Sequence, residues 1–425
     1  MRSPGTGSDE AGAVATDAYL RRYVDDYLDR AMEHLPAFMI TGPRACGKTT
    51  TATRRAASVL SLDDPGQASL FAGQPDTVLA ALQSPVLIDE WQEAAESLGA
   101  VKRAVDTGSG AGRFLITGSV RARHTGVTWP GTGRVTPVPM YPLARGELGS
   151  AGRARSFVER VFAREISVER LTDAPTIFDY VSYAASGGFP ESVDLPPDLR
   201  GDWFDGYVEQ LVGRDVRQIA DVREPRRLES LLRALALSTA GTPTKAALAR
   251  ASGVDHKTMD RYVGLLEELG MIDRLPAWGT NRLRRMVKLP KIHLIDTGMA
   301  AHLARVDTAS LLRDDDLRGR LLESFVAAQL RPLLRIGPTR ATAYHLRDAD
   351  NRREVDLVLE DRGGQIVGIE VKAAAGATPR DAKHLIWLRD EIGDEFRCGI
   401  VFHTGDTAYP ITDRVWALPI AAIWR

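Results

Sequence analysis

At 425 residues the chain is too long for a single core, so two or three domains are expected. Hydrophobic residues make up 44% and charged residues 26%, the balance of a soluble globular protein. Lys+Arg 55 against Asp+Glu 56 gives a net charge of −1, which excludes a basic protein and requires any nucleic-acid partner to meet a local basic face.

Residues 1–16, MRSPGTGSDEAGAVAT, are small and polar and read as a disordered tail without the apolar centre of a signal peptide. No run of about 18 apolar residues occurs, so no membrane partner is expected. Cys46 and Cys398 are far apart and form neither a ligand pattern nor a disulfide framework, which points to a reducing, cytoplasmic setting.

AFMIT reads as a buried strand and KTTTATRRAAS as a helix, and between them stands Gly42-Pro43-Arg44-Ala45-Cys46-Gly47-Lys48-Thr49. This fits G-x-x-x-x-G-K-[ST], in which backbone amides curl around phosphate oxygens while the lysine reaches the β and γ phosphates of ATP. Residues 42 to 49 with Thr50 are therefore the expected nucleotide-binding set, and Thr49 an expected Mg2+ ligand. PVLIDEWQE, 85–93, reads as a central strand ending in Asp89 and Glu90. At the same sheet edge as the loop, Asp89 is placed for the magnesium shell and Glu90 for polarising an attacking water. SVLSL (58–62), RFLITGS (113–119) and RVTPVPMYPL (134–143) complete a parallel sheet, with the hydroxyls of Thr117 and Ser119 facing the γ-phosphate side.

TGPRACGKTT, LIDEWQE, LITGSVR and GTGRVTPVPMYPLARGEL, in that order, resemble the AAA-type ATPase family whose members carry a C-terminal domain of unknown function with a restriction-endonuclease-like core. The resemblance spans about residues 17–425. It implies an α/β fold class: an AAA-type P-loop NTPase parallel sheet over 17–150, a helical lid over 151–240, a winged-helix unit over 241–295, and an α/β nuclease-like domain over 296–425. It also implies that Arg134, in the Gly-Arg element, reaches a phosphate of its own or a neighbouring subunit, with Arg121 and Arg123 as rivals. A homo-oligomer is thereby a candidate assembly.

The 151–240 stretch shows apolar residues at helical spacing, and its SGGFPE resembles a Gly-Gly-aromatic-Pro element to which sequence assigns no chemistry. TPTKAALARASGVDHKTMDRYVGLLEELGMI, 242–272, reads as helix-turn-helix with Met259, Tyr262, Val263 and Leu266 inward. Arg274, Arg282, Arg284, Arg285, Lys288 and Lys291 follow with no acid among them, a set suited to a DNA backbone or, equally, to packing and oligomer contacts.

REVDLVLEDRGGQIVGIEVKAAA, 353–375, reads as two strands joined at DRGG. Strict alternation places Glu354 and Asp356 on one face and Val355, Leu357 and Leu359 on the other. Across the hairpin, Asp356 and Glu370 would form an oxygen pocket for Mg2+ or Mn2+, with Lys372 beside a scissile phosphate. The spacing resembles the active site of restriction-endonuclease-like nucleases, and the resemblance adds Glu323, on the helix GRLLESFVAAQL, as a further metal ligand. The opposing expectation is a retained fold without cleavage, in which the chain is a nucleotide-controlled module binding nucleic acid or protein.

Overall fold

The computed structural model describes residues 19–108, 110–118, 131–149, 155–216, 224–279, 289–348 and 352–425. The expected tail (1–16), Ser119, Arg121, Arg123, Arg282, Arg284, Arg285 and Lys288 lie outside these residues.

Strands β1 (Ala37–Thr41), β2 (Ser58–Ser61), β3 (Val86–Asp89), β4 (Phe114–Thr117) and β5 (Val135–Pro139) form a parallel sheet in the order β2-β3-β4-β1-β5. The central strands are mostly apolar because both their faces are covered. Ala37, Met39, Val86, Ile88, Phe114 and Ile116 pack on one side; Phe38, Ile40, Leu87 and Leu115 pack on the other. The helix after the loop runs only Lys48–Thr53, shorter than the expected KTTTATRRAAS. Three consecutive β-branched threonines weaken it, and the chain must reach Ser58 to pair β2 with β3. Arg55 then leaves the helix to pair with Asp25 and Asp29.

Beyond residue 155 the chain builds a second sheet and the helices around it. β6 (Glu169–Arg170), β7 (Ile272–Leu275), β8 (Lys291–Leu294), β9 (Ala341–Arg347), β10 (Glu354–Asp361), β11 (Ile366–Val371), β12 (Phe396–His403), β13 (Thr407–Thr412) and β14 (Val415–Pro419) follow in chain order. A mixed sheet, β6-β13-β14-β12-β11-β10-β9, draws in β6 from the stretch expected to be a lid. The helix Phe157–Ala163 joins the same sheet: Phe157 packs on Phe402, and the Cys398 thiol sits 3.8 Å from the Val161 carbonyl. One continuous apolar core runs from Phe157 to Ile423, through the expected lid, middle and C-terminal segments.

The helices Lys245–Ser252 and His256–Glu268 meet at Gly253, and Met259, Tyr262, Val263 and Leu266 are all buried as expected. The antiparallel pair β7-β8 follows them.

SGGFPE acquires a structural role. The Gly188 carbonyl accepts from Leu143 N at 2.6 Å and its amide donates to Asp296 Oδ2 at 2.7 Å, so the element ties the end of the first sheet's domain to the helix Thr297–Ala304. A Cβ on Gly188 would stand 2.2 Å from the Leu143 carbonyl oxygen, so only glycine fits. Burial pushes the Asp296 carboxyl up to about 6, against the amides of Met299, Gly188 and Gly298 that pull it down. Because its folded value lies above the unfolded value, this group stabilises the fold below about pH 4. That contribution is lost as pH rises through about 6. Relative to Asp296→Asn, wild type is therefore expected to lose about 2–3 kcal/mol of stability between pH 4 and pH 7 in urea titrations; a pH-independent difference would contradict this.

Candidate functional site

The loop after β1 is shaped by close approach. A Cβ on Gly42 would stand 2.1 Å from the Met140 carbonyl oxygen, and Gly47 enters the following helix at φ 95°, a left-handed conformation that favours glycine. Pro43 and Cys46 are buried; Arg44 and Ala45 are half-buried; Thr49 and Thr50 lie exposed on the first turn. Lys48 is 7% exposed, and its ammonium donates to the Gly42 and Pro43 carbonyls at 3.2 and 2.7 Å. From behind, Arg22 holds the loop by donating to the Cys46 carbonyl at 2.7 Å. The Tyr207 hydroxyl donates to the Arg44 carbonyl at 3.3 Å.

Strand order brings the other expected groups to the same edge, since β4 separates β1 from β3. The Thr49 hydroxyl donates to Asp89 Oδ1 at 2.9 Å, and the Thr117 hydroxyl donates to the same oxygen. Glu90, next in the chain, adopts φ 51° and ψ 48°, and its carboxylate accepts from the Gln92 amide. A non-glycine residue in this conformation costs of order 1 kcal/mol, and the turn points Glu90 away from the strand direction. Thr49 and Asp89 side by side make an oxygen pair that suits Mg2+ held jointly with phosphates.

Arg134 is not among these groups. It precedes β5, whose register pairs Val135 with Ala37 and Pro139 with Thr41, so it stands at the edge of the sheet opposite the loop. Five residues of strand span about 16 Å. Its guanidinium is paired with Asp106 at 2.8 Å. The own-subunit phosphate role is thus corrected by strand polarity.

In the mixed sheet, β10 and β11 pair with Leu357 opposite Ile369, which sets Asp356 beside Glu370. Val371 N donates to Asp356 Oδ2 at 2.9 Å, and Lys372 Nζ donates to Glu370 Oε2 at 2.9 Å. The expected alternation fails here. A bulge between Val355 and Val358 puts Val355 with Val358 on the Lys383–Ile392 helix side, and Leu357 with Leu359 on the opposite face. Bulges re-aim side chains in this way, and this one keeps Glu354 and Asp356 turned toward Glu323.

The group between them is Lys291, which sequence had placed in a cation run suited equally to a DNA backbone or to packing and oligomer contacts. It is 1% exposed, and its ammonium lies 2.6 Å from Glu323, 3.4 Å from Glu354 and 3.7 Å from Asp356. Burial opposes its charge, but the carboxylates of Glu323, Asp356 and Glu354 hold it above the ordinary lysine range. Burial and the neighbouring Asp356 push Glu323 and Glu370 each up to about 8. Among the described residues no group of three or more His, Cys, Asp or Glu is placed to hold a metal ion. The expected Mg2+ or Mn2+ set of Asp356, Glu370 and Glu323 therefore does not fit a metal as it stands. Arg274 pairs with Glu267 at 3.6 Å, and Trp278 is buried.

Comparison with known proteins bears on the first site. Residues 34–149 match the family described as AAA domain. The N-terminal sheet and its loop are thus similar to an AAA domain and support an AAA-type P-loop ATPase. Residues 177–310 and 318–423 match two families each described as a domain of unknown function, DUF8612 and DUF4143. Uncharacterized proteins of Mycobacterium tuberculosis and Mycobacterium bovis are each 28% identical over 411 residues, covering 94% of this chain and 83% of theirs. Among solved structures, a Walker-type ATPase of Pyrococcus abyssi overlaps at 14% identity and TM-score 0.38, covering 67% of this chain and 96% of that one. AMPPCP-bound DnaA from Aquifex aeolicus overlaps at 13% and 0.26, covering 58% and 86%. Overlaps this loose do not establish a shared whole-chain fold. Among the described residues no helix is long and apolar enough to cross a membrane.

The AAA-type domain also depends on residues that motif reading missed. Arg22 and Glu147 form a buried pair at 3.1 Å behind the P-loop. Glu147 lies within ARGEL, but nothing in its spacing names Arg22 as its partner.

Proposed function

We propose that the chain is a Mg2+-dependent ATP hydrolase of AAA type whose C-terminal unit is nuclease-like and DNA-associated. The observation that supports it is the convergence of Lys48, Thr49, Asp89 and Thr117 on one edge of a parallel sheet, with Glu90 one residue beyond. Lys48 exchanges its two loop carbonyls for β and γ phosphate oxygens, and the loop amides complete the cradle. Thr49 and Asp89 would hold Mg2+, which when bound neutralises charge on those phosphates. Glu90 accepts a proton from, and orients, the attacking water. Arg134, remote from its own loop, can serve only a neighbouring subunit's site in a homo-oligomer.

Replacing Glu90 by glutamine is expected to leave ATP binding intact while phosphate release falls about 10²- to 10⁴-fold. Calorimetry and a phosphate-release assay separate the two, and unchanged turnover would remove Glu90 from this role.

For the C-terminal unit, the helix Asp315–Leu330 followed by β9, β10, β11, the helix Lys383–Ile392 and β12, with Asp356, Glu370 and Lys372 together, supports the nuclease-like reading. The contact of Lys291 with Glu323, Glu354 and Asp356 favours its non-cleaving form: a nucleotide-controlled module that grips a partner through this fold and the adjacent helix-turn-helix, the latter read as part of a winged-helix unit.

A further inference from the structure

We infer that the Lys291 ammonium is the built-in cation of the C-terminal carboxylate cluster, standing where a divalent metal would otherwise bridge Glu323 and Asp356 and closing that cluster to Mg2+ and Mn2+. This builds on the non-cleaving reading of the same site and states what enforces it.

The backbone that carries Lys291 is fixed. Its strand β8 pairs with β7 in the register Lys291 to Leu275 and Leu294 to Ile272. The next residue is locked on both sides of its peptide: Ile292 N donates to the Gly241 carbonyl at 2.8 Å, and the Ile292 carbonyl accepts from Ala240 N at 2.9 Å. His293, also buried, meets the Ser324 hydroxyl at 3.0 Å, which fixes β8 against the helix that carries Glu323. Withdrawing the ammonium would break its contacts with Glu323, Glu354 and Asp356 and leave that acidic cluster without a counter-charge. An unpaired buried charge costs several kcal/mol, so both partners keep the contact.

A metal ion has no place beside it. Hard divalent cations require about six to eight oxygens at roughly 2.0–2.6 Å. A cation seated between Glu323 and Asp356 at those distances would fall against Lys291 Nζ, which lies 2.6 and 3.7 Å from the same two groups. Like charges at contact in a buried site repel by several kcal/mol even at an effective dielectric of about 20. Two further oxygens are engaged: Asp356 Oδ2 accepts from Val371 N, and Glu370 Oε2 from Lys372. Glu370 Oε1 is buried and has no hydrogen-bond partner among the described residues, and His384 Nδ1 lies 3.9 Å from it. That nitrogen is committed to the Glu354 carbonyl at 2.7 Å. The cluster thus retains a buried oxygen of the kind a metal would use, beside a position between Glu323 and Asp356 that the ammonium already fills.

The test is a Mn2+ titration of the full chain without nucleotide, read by the electron paramagnetic resonance of free Mn2+. Wild type is expected to show no Mn2+ uptake that Asp356→Asn removes. Lys291→Met, which keeps the stem and deletes the charge, is expected to gain one Mn2+ site at least tenfold tighter than any in wild type. Lys291→Met/Asp356→Asn should lose it, and Mn2+ should raise the melting temperature of Lys291→Met but not of wild type. Asp356-dependent uptake by wild type, or a folded Lys291→Met that gains no site, overturns the inference. Should Lys291→Met fail to fold, the wild-type arm decides by itself: Asp356-dependent uptake overturns, and its absence supports. Plasmid incubated with wild type in the same buffer keeps the underlying reading distinct. Lys372-dependent cleavage without Mn2+ uptake would remove the non-cleaving reading and leave the resident cation standing.

Discussion

With Lys48 replaced by alanine, ATP binding is expected to weaken by about 10²- to 10⁴-fold and phosphate release to disappear, while the melting temperature stays close to that of wild type. The magnitude follows from what the ammonium does in each state. In the structure it donates to two neutral carbonyls, Gly42 O and Pro43 O, from a position only 7% exposed. With nucleotide it would exchange them for charged phosphate oxygens, each such contact contributing roughly 1.5–3 kcal/mol, or about 3–6 kcal/mol for two. Stability is spared because removing a nearly buried ammonium also removes its desolvation cost, which offsets the loss of two hydrogen bonds to neutral carbonyls. Calorimetric titration with ATP checks the first part and a phosphate assay the second; a variant that hydrolyses ATP at the wild-type rate would remove the loop from the proposed reaction.

The loop and the Asp89 edge were legible in the sequence because their chemistry is local. Glycine at 42 and 47, lysine at 48 and a carboxylate ending an apolar run each report on backbone within a few residues, and parallel pairing then fixes which ends converge. Arg134 shows the limit of motif spacing, although the signal was present. A residue that precedes a parallel strand stands opposite one that follows its neighbour, and Arg134 precedes VTPVP as surely as Gly42 follows AFMIT. Lys291 was left undecided for a different reason. Its place in a basic run suggested solvent, but it begins KIHL, a strand buried at every position, and its partners lie 32 and more residues away. No spacing rule reports such contacts. The bulge in β10 is similar: EVDLVLED alternates well enough to predict one register, and only packing against helices on both faces shows that Val355 and Leu357 part company. Helical periodicity in 155–240 reveals an apolar face but not which sheet will cover it, so the pairing of β6 with β13 could not be read from the sequence.

Glu147→Ala is expected to cost about 3–5 kcal/mol of unfolding free energy, more than any surface change and enough to expose the P-loop to disorder. Glu147 is 5% exposed and Arg22 4%, so the pair is out of water. The carboxylate accepts from Arg22 Nε at 3.1 Å, from Tyr23 N at 2.6 Å and from Ala144 N at 2.8 Å. Alanine leaves all three donors unmet and the guanidinium uncompensated. Arg22 would keep its bonds to the carbonyls of Cys46 and Tyr141, at 2.7 and 2.6 Å, but neutral acceptors do not balance a buried charge. The loss therefore comes from the orphaned charge more than from the pair, which makes a specific claim about the double variant. Arg22→Met/Glu147→Ala should be less destabilised than Glu147→Ala alone, since removing both charges removes the desolvation problem. Urea unfolding of the two single variants and the double one measures this as a cycle. Additive losses would mean that the two residues stabilise the domain independently, and that Arg22 holds the Cys46 carbonyl without help from Glu147. A coupled cycle accompanied by weaker ATP binding in the double variant would instead show that the pair's purpose is to fix that carbonyl, and with it the curl of residues 42–49.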